Sequence, residues 1–128
     1  KMGLISDCIV AGGLSDGTYK LGMLDVHVND GVAKTDSGSL AGSTLTLERA
    51  ISNLINLANI PPLEAVHMAS LIPACFLGVD ECLGSIAAGK RACFAIVDEK
   101  FQVQGTIIDG DSVYTSPELA DEFSVLIK

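Results

Sequence analysis

A carboxylate that follows a short apolar run is the first group in the chain with the potential for chemistry. The run Gly3-Leu4-Ile5 ends on the polar pair Ser6-Asp7 and passes into a glycine-bearing segment. In parallel α/β barrels the reacting groups lie where strands give way to loops at the C-terminal face. The pattern predicts a strand and its exit loop over residues 3–10, with Asp7 as the candidate catalytic residue. The alternative is an ordinary Asp that forms a turn or caps a helix.

A loop of small residues is the second candidate. Residues 36–43 contain three serines, two glycines and the triplet Leu40-Ala41-Gly42. Such loops let backbone N–H groups approach a ligand closely, although they also serve as simple connectors. The two histidines are weaker candidates. His27 falls on the polar side of an alternating strand and His67 beside the apolar face of a helix, so a solvated and a packed histidine are expected.

Composition limits the class of protein. The chain has 128 residues, is 48% hydrophobic and carries a formal net charge of −8. Its eight Lys and Arg residues form no basic stripe, which argues against nucleic acid or an anionic membrane as the partner. The four cysteines lack metal-binding spacing and are expected to be small core residues in a reducing, cytoplasmic setting rather than zinc ligands or disulfides. The apolar excess is what a piece cut from a larger fold would show.

Local patterns predict a mixed α/β chain. Residues 18–28 form a hairpin candidate, and Asn29-Asp30-Gly31 is a turn that leads to a short third strand. Apolar residues from Leu47 to Ala58 recur at helical spacing, with Thr46 as a possible N-cap. A second helix starts at the prolines 61–62, must break or kink at Pro73 and ends near Gly78. It is expected to bury Leu63, Val66, Ala69, Ser70 and Ala74.

The last third of the chain changes to strand periodicity. Residues 93–97 are an apolar strand, and further strand segments follow up to the turn at Asp109-Gly110. Ser116 and Pro117 then begin a helix.

Three segments carry a resemblance to a known family. The Ser-Asp strand end at 6–7 with Ala11-Gly12-Gly13, the run DGVA at 30–33 followed by GSLAGSTLT at 38–46, and MASLIPA at 68–74 followed by LGSIAAGK at 83–90 together span most of the chain. The chain resembles the C-terminal third of the N-acetylglucosamine-6-phosphate deacetylases, a family of the amidohydrolase superfamily. The last segment is common among amidohydrolases, whereas the middle one is specific to the deacetylases.

The resemblance implies a fold and a set of domains. The expected fold class is α/β: the C-terminal portion of a metal-dependent (β/α)8 barrel plus part of a small β-sandwich. Residues 1–86 would belong to the barrel, residues 87–116 would be sandwich strands, and residues 117–128 would be a C-terminal helix and tail.

The resemblance also implies roles for the candidate residues. Asp7 would end the eighth barrel strand, take a proton from a metal-bound water and deliver it to the leaving amine. Leu40, Ala41 and Gly42 would contact the acetamido region of an amino-sugar phosphate through their backbone. A divalent metal, zinc or iron, is expected in the intact parent. None is expected on this chain, because the family's metal ligands lie upstream of residue 1.

Departures from the family pattern leave alternatives open. Cys93 stands where the superfamily usually has an Asp, for which only a structural consequence is expected. Unpaired strand edges and open apolar faces predict a homo-oligomer. The leading interpretation is a piece, inactive alone, of an enzyme that releases acetate from N-acetylglucosamine-6-phosphate. The alternatives are another amidohydrolase, similar to dihydroorotase or a deaminase, and a non-catalytic interaction or regulatory module.

Overall fold

Two compact units make up the protein, each with its own three-stranded sheet. The computed structural model describes residues 2–126, with side chains as far as Asp121. One unit comprises Leu4–Ala50, and the other holds the rest of the described chain. The predicted C-terminal segment 117–128 is described as a helix as far as Leu126, and its last two residues lie outside the described chain.

The first sheet is built from two tight hairpins. Strands β1 (Gly17–Leu21), β2 (Leu24–Asn29) and β3 (Val32–Thr35) are antiparallel, in the order β1-β2-β3. The turn between β2 and β3 is the predicted one. Asp30 has φ 49° and Gly31 has φ 72°, so both central residues adopt the left-handed conformation of a type I′ turn. Asp16 stabilises this turn, because its carboxylate accepts the N–H groups of Asp30 at 2.6 Å and Gly31 at 3.2 Å.

One face of this sheet forms the core of the unit. Buried side chains of Val26, Val28 and Ala33 cluster with Ala11 from the preceding loop. The alternation predicted for β2 is confirmed, since Val26 and Val28 are buried whereas His27 is exposed. The opposite face is therefore polar and open to solvent.

The strand predicted over residues 3–10 is not formed. The only strand-like pairing in described residues 2–16 is an isolated parallel bridge between Cys8 and Ser43. A parallel strand receives its hydrogen bonds from neighbouring strands, and here Ser43 supplies the backbone partners: its N–H donates to Asp7 O and its carbonyl accepts Ile9 N–H, both at 2.9 Å. The expectation of core cysteines is also wrong for Cys8 and Cys82, which are exposed.

The three middle helices begin and end where local signals place them. Helix α1 spans Leu47–Ala58, α2 spans Pro62–Ala69 and α3 spans Leu71–Leu77. The break at Ser70 follows from Pro73, which has no N–H to donate to the carbonyl four residues earlier. Gly78 has φ 67° and ends α3 in the left-handed conformation.

The apolar face predicted for α2 is only partly correct. Of the residues predicted to be buried, Leu63 is 69% exposed and Ala74 is buried. The other three are half-buried: Val66, Ala69 and Ser70. A periodicity that marks an apolar stripe does not say which part of the stripe is covered, because the covering element is distant in sequence.

The second sheet follows the helices. Strands β4 (Phe94–Val97), β5 (Val103–Ile108) and β6 (Asp111–Thr115) are antiparallel, in the order β4-β5-β6, and helix α4 (Pro117–Leu126) follows. Ser116 caps this helix as predicted, because its Oγ accepts the N–H of Leu119 at 3.1 Å. No helix in residues 2–126 is long and apolar enough to cross a membrane.

A bidentate ion pair fixes the turn between β5 and β6. Arg91 donates from Nε to Asp109 Oδ1 at 2.7 Å and from an amino group to Oδ2 at 2.5 Å. These hydrogen bonds hold the pKa of Asp109 below its ordinary value and that of Arg91 above it. Cys93 Sγ accepts the N–H of Asp109 at 3.4 Å. Cys93 therefore has a structural role in this turn, through the hydrogen bond that its sulfur accepts.

Candidate active site

The two candidate segments of the sequence, separated by more than thirty residues, lie side by side. The parallel bridge at Ser43 joins the backbone on either side of Cys8 to the end of the Leu40–Gly42 segment. A Cβ built on Gly42 would lie 3.9 Å from Asp7 Oδ2 and 2.6 Å from Ile9 Cγ2. Glycine is therefore required at this position if the segment is to approach Asp7 so closely.

Asp7 has an unusual backbone conformation. Its φ is 49°, the left-handed region in which few residues other than glycine are found and which Asp tolerates better than most. Its side chain is exposed, and no hydrogen bond of its carboxylate occurs among the described residues. Conformations of this kind cluster at functional sites. An open carboxylate at such a position can exchange a proton with a ligand or with water.

The Leu40–Gly42 segment is held from one side only. Leu40 pairs with Lys34 in an antiparallel bridge, and Ala41 N–H donates to Ala33 O at 3.0 Å. Within the described chain the N–H groups of Leu40 and Gly42 have no hydrogen-bond partner. Because N–H groups alternate in direction along an extended segment, these two are available to a ligand on the side away from β3.

The three residues of the segment differ in exposure. Leu40 is 75% exposed, whereas Ala41 packs against the buried cluster of the first sheet. Ala41 therefore anchors the segment, while Leu40 and the Gly42 backbone face outward. The structure brings Asp7 and Gly42 together as neighbours and leaves Leu40 at the outer end.

A hydrogen-bonded histidine was missed by the sequence analysis. His27 Nε2 lies 2.7 Å from Asp36 Oδ1, and its Nδ1 lies 3.0 Å from Thr18 Oγ1. The sequence does contain the signal. A two-residue turn at Asp30-Gly31 fixes the register so that His27 opposes Lys34, which places Asp36 diagonally across from His27 on the same face.

The described residues do not form a metal site of their own. No group of three or more His, Cys, Asp or Glu side chains within residues 2–126 could hold a metal ion. Neither Asp7 nor His27 is therefore a member of a complete ligand set in this part of the chain.

Comparison with known proteins identifies the family. Residues 15–113, well over half of the chain, match the Amidohydrolase family. The chain belongs to this family. Amidohydrolases are generally metal-dependent. The mixed helix and strand described above is part of the amidohydrolase barrel and its sheet domain, so the predicted fold class is confirmed.

Named amidohydrolase relatives are sugar-phosphate deacetylases. The chain is 47% identical over 107 residues to N-acetylgalactosamine-6-phosphate deacetylase of Escherichia coli O157:H7. The aligned region covers 84% of this chain and 28% of the relative. It is 42% identical over 120 residues to N-acetylglucosamine-6-phosphate deacetylase of Vibrio furnissii, and this aligned region covers 91% of this chain and 30% of the relative. The chain thus spans less than a third of the length of these two relatives, and 64% of the length of another from Escherichia coli K12.

A solved structure gives the same picture. An Asp-to-Ala variant of the N-acetyl-D-glucosamine-6-phosphate deacetylase of Mycobacterium smegmatis, in complex with N-acetyl-D-glucosamine-6-phosphate, superposes with a TM-score of 0.78 at 35% identity. The match covers 88% of this chain and 30% of that one. The resemblance predicted from the three sequence segments is confirmed.

Proposed function

We propose that the chain is part of an enzyme that hydrolyses the acetamide of an N-acetyl amino-sugar 6-phosphate. The observation that carries the proposal is the pairing of the open carboxylate of Asp7 with the outward N–H groups of Leu40 and Gly42. A carboxylate next to a segment with two unpaired N–H donors suits an amide substrate, because the donors can bind its polar atoms while the carboxylate transfers protons. The names of the relatives support the substrate class.

Asp7 is the proposed acid/base group. Water attacks the acetamide carbonyl carbon, and the Asp7 carboxylate takes the proton that the water loses. The protonated carboxyl then gives that proton to the nitrogen as the C–N bond breaks, so that the free amine and acetic acid leave. The acetic acid gives its remaining proton to water and becomes acetate. The left-handed backbone of Asp7 and the hydrogen bond from Ser43 N–H to its carbonyl set where the carboxylate lies relative to Gly42, which favours a fixed geometry for both proton transfers.

The parent's metal is a second part of the proposal. Family membership supports a divalent metal, and zinc or iron is the identity we propose for the full-length enzyme. Since the described residues do not fit a complete site, metal analysis of the full-length protein is the measurement that decides its identity.

There are two candidates for the sugar of the substrate, which are epimers. The relative from Escherichia coli O157:H7 is named for the galactosamine substrate and the one from Vibrio furnissii for the glucosamine substrate. The two sugars differ only in the orientation of the hydroxyl at C4. We propose the glucosamine substrate from the sequence motifs. The galactosamine epimer is the second candidate because of the 47% identity to its named deacetylase.

Substitution of Asp7 tests the function. In the full-length enzyme, Asp7→Asn keeps the size of the side chain and tolerates the left-handed backbone conformation, but it removes the proton acceptor. We expect kcat on the preferred epimer to fall by about 10²–10⁴-fold, with metal content unchanged. Loss of metal would show that Asp7 is mainly a ligand. If the unmodified enzyme deacetylates neither epimer, the chain belongs to another amidohydrolase or to a non-catalytic module.

Domain and assembly proposals accompany the activity. We propose that residues 1–86 derive from the barrel, residues 87–116 from the small β-sandwich, and 117–128 from the C-terminal helix and tail. Helices α1–α3 in the first part and strands β4–β6 in the second support this division. We also propose self-association, which the many exposed apolar side chains support.

A further inference from the structure

A continuous set of hydrogen bonds runs along the polar face of the first sheet. Asp36 accepts only, as a carboxylate, so the proton of their 2.7 Å hydrogen bond is on His27 Nε2. On the other side of the ring, Nδ1 lies 3.0 Å from the hydroxyl of Thr18. Both ring nitrogens of His27 therefore have partners on neighbouring segments.

Asp36 is the first residue of the loop that leads to the candidate substrate segment. After β3 ends at Thr35, the chain turns through residues 36–39 and returns antiparallel, so that Thr35 N–H donates to Ser39 O at 2.9 Å and Leu40 lies opposite Lys34. The turn consists of small residues with few side-chain contacts: besides Asp36 it contains Gly38, at φ 82°, and two serines. Its hydroxyl contacts, such as Thr35 Oγ1 to Ser37 Oγ at 2.9 Å, lie within the turn. The contact from Asp36 to His27 instead connects the turn to β2.

The sheet register places the histidine in line with the segment. Thr18 pairs with His27, His27 with Lys34, and Lys34 with Leu40. Side chains at directly opposed positions share a face of the sheet. The row therefore runs from Thr18 on β1 across the sheet to Leu40, and His27 is the second of its four members.

We propose that His27 is a positioning residue that holds the 36–39 turn, and through it the Leu40–Gly42 segment, in the conformation that binds the acetamido group. The effect on substrate binding rests on the proposed function. The restraint of the turn by the hydrogen bond between His27 and Asp36, which we call the tether, does not. An imidazole at this position restricts the turn from β2, where a shorter side chain cannot reach Asp36. The competing explanation is an ordinary solvated histidine, since 50% of its side chain is exposed.

Two substitutions separate these explanations. In His27→Gln the side-chain amide nitrogen reaches about as far as Nε2 and can still donate to Asp36. In His27→Asn the amide lies near the position of Nδ1, so it can reach Thr18 but not Asp36. The matched control is Lys20→Gln, which removes the 2.7 Å ion pair to Asp25 on the same polar face without touching the turn.

Amide hydrogen exchange on the 128-residue protein is the first readout. Ala41 N–H reports on the segment and Thr35 N–H on the turn, while the amides between β1 and β2 report on the sheet as a whole. In His27→Asn we expect exchange at Ala41 and Thr35 to rise about two- to tenfold, as for loss of one exposed hydrogen bond. His27→Gln and Lys20→Gln should leave these rates near those of the unmodified protein.

Three outcomes would overturn the tether. These are unchanged exchange at Ala41 in His27→Asn, an equal rise across the whole sheet, and a His27→Gln protein that behaves like His27→Asn. The second readout is the kinetics of the full-length enzyme on N-acetyl amino-sugar 6-phosphate, for which His27→Asn should raise KM while kcat stays within about twofold. Reduced kcat with unchanged KM would contradict a role in binding.

The two readouts separate this inference from the proposed function. A full-length enzyme without deacetylase activity, whose segment still loosens in His27→Asn, would refute the proposed function and the role toward substrate. An active enzyme whose segment does not respond to the substitution would refute the positioning role alone.

Discussion

At the scale of single residues, the site depends on two backbone conformations that few side chains tolerate. Asp7 at φ 49° and Gly42 at φ 101° are neighbours, and Gly42 lies against the side chain of Ile9. Sequence motifs were sufficient to name both residues as candidates. Their contact could not be deduced from local pattern, since it depends on a parallel bridge between residues 8 and 43.

Gly42→Ala should be clearly more destabilising than the same change at Gly38. Both glycines have positive φ, so both substitutions incur the conformational cost of about 1–2 kcal/mol. Only at Gly42 would the new methyl group overlap a neighbour, at 2.6 Å from Ile9 Cγ2, whereas nothing lies within 4 Å at Gly38. We expect an additional loss of about 1–3 kcal/mol at Gly42. The measurement is the free energy of unfolding in urea; equal losses in the two variants would contradict the close approach.

At the scale of elements, turn chemistry was the most predictable feature and strand pairing the least. The Asp-Gly turns and the break at Pro73 follow from residue types alone. The pairing of residues 3–10 does not, because a parallel segment is stabilised by distant partners. The hydrogen bond between His27 and Asp36 also depends on a partner outside the local pattern, and it can be predicted only after the register of the hairpin is known.

The turn between β5 and β6 should lose its ion-pair contribution in acid. Since the pKa of Asp109 is lowered in the folded state, the pair contributes stability above the unfolded value, which is about 3.9. That contribution is lost as the pH falls through the lower folded value. Asp109→Asn can keep the left-handed turn but cannot pair as a carboxylate, so the unmodified protein should be the more stable at neutral pH.

Thermal unfolding as a function of pH measures this effect. The difference in Tm between the unmodified protein and Asp109→Asn should shrink as the pH is lowered below about 4. Asp111→Asn, which removes a carboxylate two positions further along, is the control and should show no such convergence attributable to Arg91. A difference that stays constant with pH would mean that the turn geometry, rather than the charge, stabilises this region.

At the scale of the whole molecule, much apolar surface is left uncovered. Met23 is 98% exposed, Ile86 85% and Leu77 77%. The family and its fold could be predicted because three motifs span the chain. Which apolar faces are covered could not, since that depends on elements that local periodicity does not reveal, as Leu63 shows.

We expect the 128-residue protein to self-associate. Static light scattering at micromolar concentration should give a mass above that of one chain, and the mass should rise with concentration and with added sulfate, which strengthens apolar association. Leu77→Glu should reduce it if α3 takes part in the contact. A single-chain mass that is constant across the concentration range would refute the assembly proposal.

The Asp-Gly turns also govern how the protein ages chemically. An Asp-Gly step is prone to cyclise when the glycine nitrogen attacks the aspartyl side chain, releases water and leaves a succinimide that reopens mainly as isoaspartate. At the two hairpin turns, which hold two of the three Asp-Gly steps in the sequence, that nitrogen is engaged: Gly31 N–H donates to Asp16 at 3.2 Å and Gly110 N–H to Ala92 O at 2.9 Å. Folding thus restrains the atom that would start the damage, so isoaspartate should accumulate at these steps chiefly in molecules that have unfolded.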